Sequence, residues 1–301
     1  MRIALATCSA LPSREHDDVA LHATLCERGV SVEQPIWDDR QVEWAEFDAV
    51  LIRTTWDYQE KREEFLSWAE CVAKQTVLFN PAPIVRWNTH KSYLRELEAL
   101  GVPLANTVWF EGGRSYDFVA AARDAGLVRG FIKPMVGANA RGTLRFDARR
   151  LEQLEAAAAH FDRLIIARDV MLQPYLTSVE REGELSAIYF DGALSHAVRK
   201  IPTKGDYRVQ DDFGALDRAE RLDDEAITLA ERTLAGLNEL ARHHAWDLSL
   251  PLLYARVDML RNDDGRLVLN ELEVVEPSLF FRHGPRAAER LSSALLERLG
   301  N

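Results

Sequence analysis

Cysteine is scarce: Cys8, Cys26 and Cys71 are the only three in 301 residues, and no two are spaced as metal ligands. A scattered, odd-numbered set excludes a disulfide framework and fits a reducing compartment, so all three read as packing residues. Long apolar runs are missing too. None approaches the roughly 18 residues that would span a bilayer, and Met1-Arg-Ile-Ala-Leu-Ala-Thr-Cys8 turns polar too soon for a signal peptide. No membrane partner and a cytoplasmic location are therefore expected. Positive charge is in deficit, with 37 Lys and Arg against 48 Asp and Glu and a formal net charge of −11. A nucleic-acid partner needs a basic surface and is excluded on that balance, which still leaves room for a local basic site for a nucleotide.

What is present is ordinary for a globular enzyme: 47% hydrophobic and 28% charged residues, in a chain long enough for two or three subdomains. Residues 1–84 alternate strands (Arg2 to Thr7, Val30 to Glu33, Phe47 to Arg53, Val77 to Asn80) with helices (His16 to Arg28, Glu60 to Ala73). That alternation predicts an open, mostly parallel α/β domain. Ligands bind beyond the carboxyl ends of such strands, which puts Arg53-Thr-Thr-Trp-Asp-Tyr58 at the mouth of a site, with Arg53, Trp56 and Asp57 as substrate contacts. A turn with one anchoring tryptophan is the plainer alternative.

Residues 85–170 change style. A helix over Asn88 to Leu100, strands at Thr107 to Phe110, Gly130 to Pro134 and Leu164 to Ala167, and helices near Tyr116 to Ala125 and Leu151 to His160 form a small α+β unit. Residues 171–301 read as antiparallel: Gly183 to Phe190 and Ala193 to Lys200 flank Asp191-Gly192, a type I′ hairpin signal. A long amphipathic helix, Asp224 to Ala245, a second hairpin and a closing helix, Pro285 to Leu299, complete the chain. His243-His244 lie about 100° apart on their helix and read as helix-end residues, not as shared metal ligands.

The second hairpin places acids where a strand should carry apolar groups. In Tyr254-Ala-Arg-Val-Asp-Met-Leu and Leu267-Val-Leu-Asn-Glu-Leu-Glu-Val-Val-Glu-Pro277, Arg256 and Asp258 share a face, as do Glu271 and Glu273. An even-length loop through Asn262-Asp-Asp-Gly265 would bring all three carboxylates to one face. Carboxylates packed that closely need a cation, and hard oxygen ligands favour magnesium or a similar ion. A solvated edge hairpin is the competing reading.

Upstream, Lys133-Pro134 precedes a glycine-bearing loop, Val136-Gly-Ala-Asn-Ala-Arg-Gly142, whose amides and lysine suit phosphate oxygens. Lys91 in Trp87-Asn-Thr-His-Lys-Ser-Tyr93, Lys133 with its loop, Gln173-Pro-Tyr-Leu176, and the Asp strand paired with a Glu-x-Glu strand occur in that order. The ordered set resembles the ATP-grasp superfamily over roughly Val85 to Leu299. The resemblance implies an ATP-grasp fold behind an N-terminal α/β domain, with ATP between two α+β subdomains. Lys91 and Lys133 would contact phosphates, and the loop with Gly137, Arg141 and Gly142 would close over them. Backbone groups of Gln173, Pro174, Tyr175 and Leu176 would hold adenine, Glu180 the ribose, and Asp258, Glu271 and Glu273 magnesium, with manganese as a substitute. Glutathione-synthetase-like members usually read Glu-x-Asn where this chain reads Glu271-Leu-Glu273.

Leu51 to Tyr58, Phe79-Asn-Pro-Ala-Pro83, Trp87 to Leu94 and Leu269 to Leu279 look most like the D-cycloserine biosynthetic branch. The resemblance implies an ADP-forming carboxylate–amine ligase working through an acyl phosphate, here intramolecular cyclisation of O-ureido-D-serine, and a homodimer. Arg256, Arg199 and Lys133 would serve the reacting groups, with Lys200 beside Arg199 as a further cation for phosphate or substrate, and Glu276 and Ser278 the amine of an amino-acid-like substrate. A ligase for another amino acid or small peptide, a small-molecule kinase and a nonenzymatic nucleotide-binding module compete with that reading.

Overall fold

The structure, a computed structural model, describes residues 1–11, 15–137, 140–209 and 213–300. Strands β1 (Arg2–Thr7), β2 (Ser31–Glu33), β3 (Ala49–Thr54) and β4 (Val77–Phe79) form a parallel sheet in the order β2-β1-β3-β4. The middles of its central strands, Ile3 to Ala6 and Ala49 to Ile52, are apolar because both faces are covered. Ile3, Leu5, Ala49 and Leu51 pack with Leu21 and Leu25 of α1 (Asp18–Glu27). Ala4, Ala6, Val50 and Ile52 pack with Phe65, Leu66 and Val72 of α2 (Arg62–Ala73).

Where one helix from Asn88 to Leu100 is expected, a short helix α3 (Ala82–Asn88) ends at Asn88 and α4 (Tyr93–Ala99) begins only at Tyr93. The break has a cause: the Lys91 N–H leaves the helical pattern to donate to the Met135 carbonyl at 2.8 Å, and the Asn88 amide donates to Leu272 O at 2.8 Å and accepts from Val274 N at 3.1 Å. Lys91 therefore sits between helices.

The central sheet, β5-β8-β6-β7, is antiparallel and is built from β5 (Val108–Phe110), β6 (Arg129–Pro134), β7 (Leu144–Asp147) and β8 (Val170–Pro174). Helices α5 (Phe118–Asp124) and α6 (Leu151–Ile165) pack on it. The predicted strand Leu164 to Ala167 is instead the end of α6, because Ala157, Phe161 and Ile165 recur every four residues on its buried stripe. Strand β8 belongs to this sheet, so the third unit begins past Pro174 and not at residue 171.

After α7 (Ser178–Glu182), a five-stranded antiparallel sheet runs β11-β10-β9-β12-β13, from β9 (Glu184–Phe190), β10 (Ala193–Ile201), β11 (Leu216–Glu220), β12 (Tyr254–Arg261) and β13 (Leu267–Glu273). Asp191 and Gly192 both have positive φ, 48° and 78°, as a type I′ turn requires. One face, with Ala187, Val257, Met259 and Leu272, packs on Leu229, Leu237 and Leu240 of α8 (Asp224–His243). The opposite face is divided. Ile188, Phe190, Val198 and Tyr254 pack against the first sheet and α9 (Ala287–Arg298), while the other end carries Glu184, Ser186, Lys200, Arg256 and Asp258, all buried. Among the described residues no helix is long and apolar enough to cross a membrane.

Asn80, fully buried, joins the first and third units: its amide donates to Tyr254 O at 2.9 Å and Val274 O at 2.8 Å, using both hydrogens. Asn80→Ala leaves two buried carbonyls without a donor, and a stability loss of about 2–4 kcal/mol is expected. Urea unfolding checks this; an unchanged midpoint would show that the junction does not depend on Asn80.

Candidate active site

The metal-type face is assembled by a defect in the hairpin. Five residues, Asn262 to Arg266, separate β12 from β13, an odd number where an even one is expected. Uncorrected, that register would continue Met259↔Leu269 into Asp258↔Asn270 and turn Glu271 and Glu273 toward the core. A bulge at Asn270 shifts the register by one, giving Asp258↔Glu271 and Arg256↔Glu273. The acids reach the expected face, and Asn270 is turned toward the site with them, where its amide donates to Glu184.

Charges on this face are held in two ways. Asp258 is saturated: it accepts from Arg256 (Nη2 at 2.9 Å), Lys200 (3.1 Å) and Ser186, and Lys200 also pairs with Glu184. Burial alone would raise the Asp258 carboxyl, but Arg256 and Lys200 hold it well below the usual range. Gly183, at φ +76°, permits this approach, because a Cβ there would lie 2.3 Å from Lys200 O. Glu271 and Glu273 pair with Lys91 and Arg256 respectively and stay partly open to the cleft. Burial, with neighbouring acids opposed by Arg256, pushes Glu273 up to about 7. Burial, then Glu273 and Glu271, pushes Glu276 up to about 8.

A cleft opens over this face, bordered by six carboxylates (Glu15, Glu184, Asp258, Glu271, Glu273, Glu276) against three cations (Lys91, Lys200, Arg256). Among the described residues no three His, Cys, Asp or Glu side chains form a ready metal cage. The excess of acid nevertheless fits a cation, with Glu271, Glu273 and Asn270 as the oxygen donors not locked away as Asp258 is.

A second cleft, of about 950 Å³, adjoins the first and shares Lys91, Gly137, Glu184, Asn270 and Glu271 with it. It lies between the central and five-stranded sheets. Lys133, Gly137, Arg141, Gln173, Pro174 and Leu176 border it together with Phe131, Tyr207 and Arg208. Lys133 donates to Gln173 Oε1 at 3.0 Å, and burial, opposed by Glu271, lowers its ammonium to about 8. Ala138 and Asn139 of the glycine loop lie outside the described residues.

Several expected residues stand elsewhere. Arg53 is fully buried, bound to Asp18 at 2.8 Å and to Pro277 O at 3.1 Å, and borders neither cleft. Asp57 accepts from Trp37 Nε1 at 2.8 Å as part of the turn's own scaffold. Arg199 faces away because side chains alternate: it pairs with Glu220 on the opposite face, and Lys200 takes the inner position. The Glu180 side chain, expected at the ribose, instead accepts from the buried Tyr175 hydroxyl and does not border the Lys133 cleft; the contact expected of Tyr175 itself is one of its backbone. Gly142 is a turn residue, φ +70°, packed against Pro134. Trp56, Arg256, Glu276 and Ser278 do border the acidic cleft. Glu184, Ser186 and Asn270 escaped the sequence reading, and Lys200, offered there beside Arg199, is the one of the two that faces the cleft: the Asp191-Gly192 turn alone would pair Arg199 with Glu184, and a register shift between Leu194 and His196 puts Lys200 there instead.

Two lysines and a glycine loop over one cleft, beside an acidic hairpin face, between two antiparallel sheets, define an ATP-grasp ligase. The D-alanine–D-alanine ligase of Bacillus anthracis complexed with ATP shares this fold, with a TM-score of 0.65 and 15% identity over 99% of this chain and 97% of that one. The family described as D-cycloserine synthetase DcsG, N-terminal domain, matches residues 3–80. The cycloserine biosynthesis protein DcsG of Streptomyces lavendulae is 35% identical over 278 residues, 90% of each chain. The crystal structure of D-cycloserine synthetase DcsG superposes with a TM-score of 0.86 and 33% identity, covering 99% of this chain and all of that one. The chain belongs to the DcsG family and is an ATP-dependent, ADP-forming ligase.

The raised Glu276 carboxyl has a stability consequence. Between its ordinary 4.5 and about 8, the folded protein retains a proton that the unfolded chain has released, so stability falls as pH rises through that window. Glu276→Gln removes this titration. Without nucleotide or divalent cation, the variant's Tm is expected to exceed the parent's at pH 8.5, the gap closing by pH 5. A gap independent of pH, read by differential scanning fluorimetry, would place the strain elsewhere.

Proposed function

We propose that this enzyme closes the ring of an O-ureido-serine-type amino acid, O-ureido-D-serine in the first instance, through an acyl phosphate. The observation that carries this reading is the joining of two clefts at Lys91 and Glu271, one bordered by Lys133 and the glycine loop, the other acidic at Glu276 and cationic at Arg256 and Lys200. An amino acid carries a carboxylate and an ammonium one carbon apart, and this charge arrangement suits both. The similarity to DcsG supports the choice of substrate.

In the reaction, the γ-phosphoryl group passes to a substrate carboxylate oxygen, releasing ADP. The substrate's own ureido nitrogen, the one bonded to oxygen, then attacks the acyl carbon and gives up its proton, the carbon–oxygen bond to phosphate breaks, inorganic phosphate leaves and the five-membered ring closes with the carbamoyl group still on that nitrogen; hydrolysis of the carbamoyl group by water would release carbon dioxide and ammonia and leave the unsubstituted ring. Lys91 and Lys133 stand where the transferring charge develops, and Arg256 and Lys200 stand where the carboxylate would rest; such catalysis is mainly positioning and electrostatics. Magnesium, or manganese in its place, would be held by Glu271 and Glu273, with Asp258 fixing Arg256 behind them, and would neutralise phosphate charge. Lys91 and Arg256 hold those acids in this state of the protein.

Incubation with ATP, Mg²⁺ and O-ureido-D-serine is expected to release ADP and phosphate together. Absence of ADP would sink the cyclisation reading, and ADP without free phosphate would point to a kinase. Glu271→Gln is expected to lower kcat roughly 10²-fold or more with the fold retained; turnover equal to the parent's would remove Glu271 from the metal set.

A further inference from the structure

Register brings three polar side chains of the central sheet into a line. Gln173 of β8 pairs with Phe131 of β6, so Lys133, two residues further along β6, lies diagonal to Gln173 on the same face. Val108 of β5 pairs with Leu172, which sets Thr107, the residue before it, beside Gln173 on the other flank of β8. Contacts follow from that placement: Lys133 Nζ donates to Gln173 Oε1 at 3.0 Å, Gln173 Nε2 donates to Thr107 Oγ1 at 3.0 Å, and the Thr107 hydroxyl donates to the Ala105 carbonyl at 2.7 Å. Every direction in the chain is set by its first member. A lysine ammonium can only donate, so the amide must turn its oxygen to Lys133 and its nitrogen to Thr107. The hydroxyl must then accept, and its one hydrogen goes to Ala105. Gln173 is buried, and Lys133, Gln173 and Ala105 all border the cleft with the glycine loop. Thr107 borders neither cleft and reaches this one through Gln173.

We propose that Thr107 is a positioning residue for nucleotide binding, which fixes the Gln173 amide so that Lys133 is held by one hydrogen and presents the other two to nucleotide phosphates. The inference rests on the reading of this cleft as the ATP site. Lysine carries its charge on a flexible four-carbon stem, and Glu184 and Glu271 border the same cleft, so an ammonium without a tether would swing to one of those acids. The Gln173 oxygen restrains it without cancelling the charge that a phosphate needs, as a carboxylate in that place would. The Phe131 ring, its centroid 5.3 Å from Nζ, is a second restraint of the same neutral kind.

Binding of ATP with Mg²⁺ to the full-length protein, read by isothermal titration calorimetry, tests this without an amino-acid substrate and so independently of the cyclisation reading. Thr107→Val keeps the side chain's shape and removes the acceptor. It is expected to weaken ATP roughly tenfold, with adenosine affinity within about twofold of the parent's, and Thr107→Ser is expected to restore ATP affinity to within about twofold. In a Gln173→Met background, Thr107→Val should add little, because both changes break one chain. If adenosine weakens as much as ATP, if serine fails to restore binding, or if the two changes are additive, Thr107 is merely structural and the proposal falls. ATP affinity unchanged by Thr107→Val but lowered by Lys133→Met overturns the proposal and leaves the ATP site standing. Affinity unchanged by Lys133→Met removes Lys133 from the nucleotide site and takes this inference with it.

Discussion

Between Val274 and Phe280 the chain leaves its sheet, yet every carbonyl in that stretch accepts a hydrogen bond from a side chain. Asn80 serves Val274, Tyr254 serves Val275, Trp56 serves Glu276, Arg53 serves Pro277, Arg256 serves Ser278, and His196 Nε2 lies 2.9 and 3.1 Å from the Leu279 and Phe280 oxygens. A buried carbonyl without a partner costs about 1–3 kcal/mol, so a strand's worth of them would be prohibitive. Side chains from the first domain and the five-stranded sheet replace the missing neighbour strand. Glu276 and Ser278 are therefore placed by two domains at once, and the contents of the acidic cleft depend on how those domains dock.

The same economy governs charge. Asp258, Arg256, Lys200 and Glu184 form a buried set in which each charge meets an opposite one, the condition under which buried ions are tolerated. Glu271, Glu273 and Glu276 are more exposed and only partly compensated. Removing a cation from the inner set would strand a buried charge, whereas Lys91 can leave Glu271 when a better cation or a phosphate arrives. The inner set is scaffold and the outer one is exchangeable, which is the division a nucleotide–metal site needs.

How legible this was depended on the range of the cause. Alternation of apolar strands and helices revealed the first domain, because burial on both faces leaves a continuous hydrophobic run in each strand. The type I′ turn and the acidic strand face were equally local. Parity was not: whether Arg199 or Lys200 faces the cleft follows from the pairing of Lys200 with Glu184, and whether Glu271 faces in or out follows from one bulge at Asn270. Nothing near those positions announces either. The break at Lys91 escaped for a related reason, since it is imposed by a Met135 carbonyl more than forty residues away, and Leu164 to Ala167 misled because a buried helix end and a strand carry the same β-branched residues.

Glu273 shows how an apparent departure becomes consistent once register is known. Beside relatives that resemble it with asparagine at this position, the chain carries one more negative charge on its ligand strand, which taken alone would repel phosphate as much as it attracts a cation. The residue directly opposite, across the bulged register, is Arg256, and the two side chains pair. Burial and the adjoining acids keep Glu273 near neutrality in its protonation, so its charge is conditional on what else occupies the cleft. An asparagine would offer a neutral oxygen; a glutamate matched to an arginine offers an oxygen whose charge the arginine opposes. The extra acid is thus matched by a cation that Asp258 already holds in place, so it adds an oxygen to the cleft face beside Glu271 without leaving an unpaired charge.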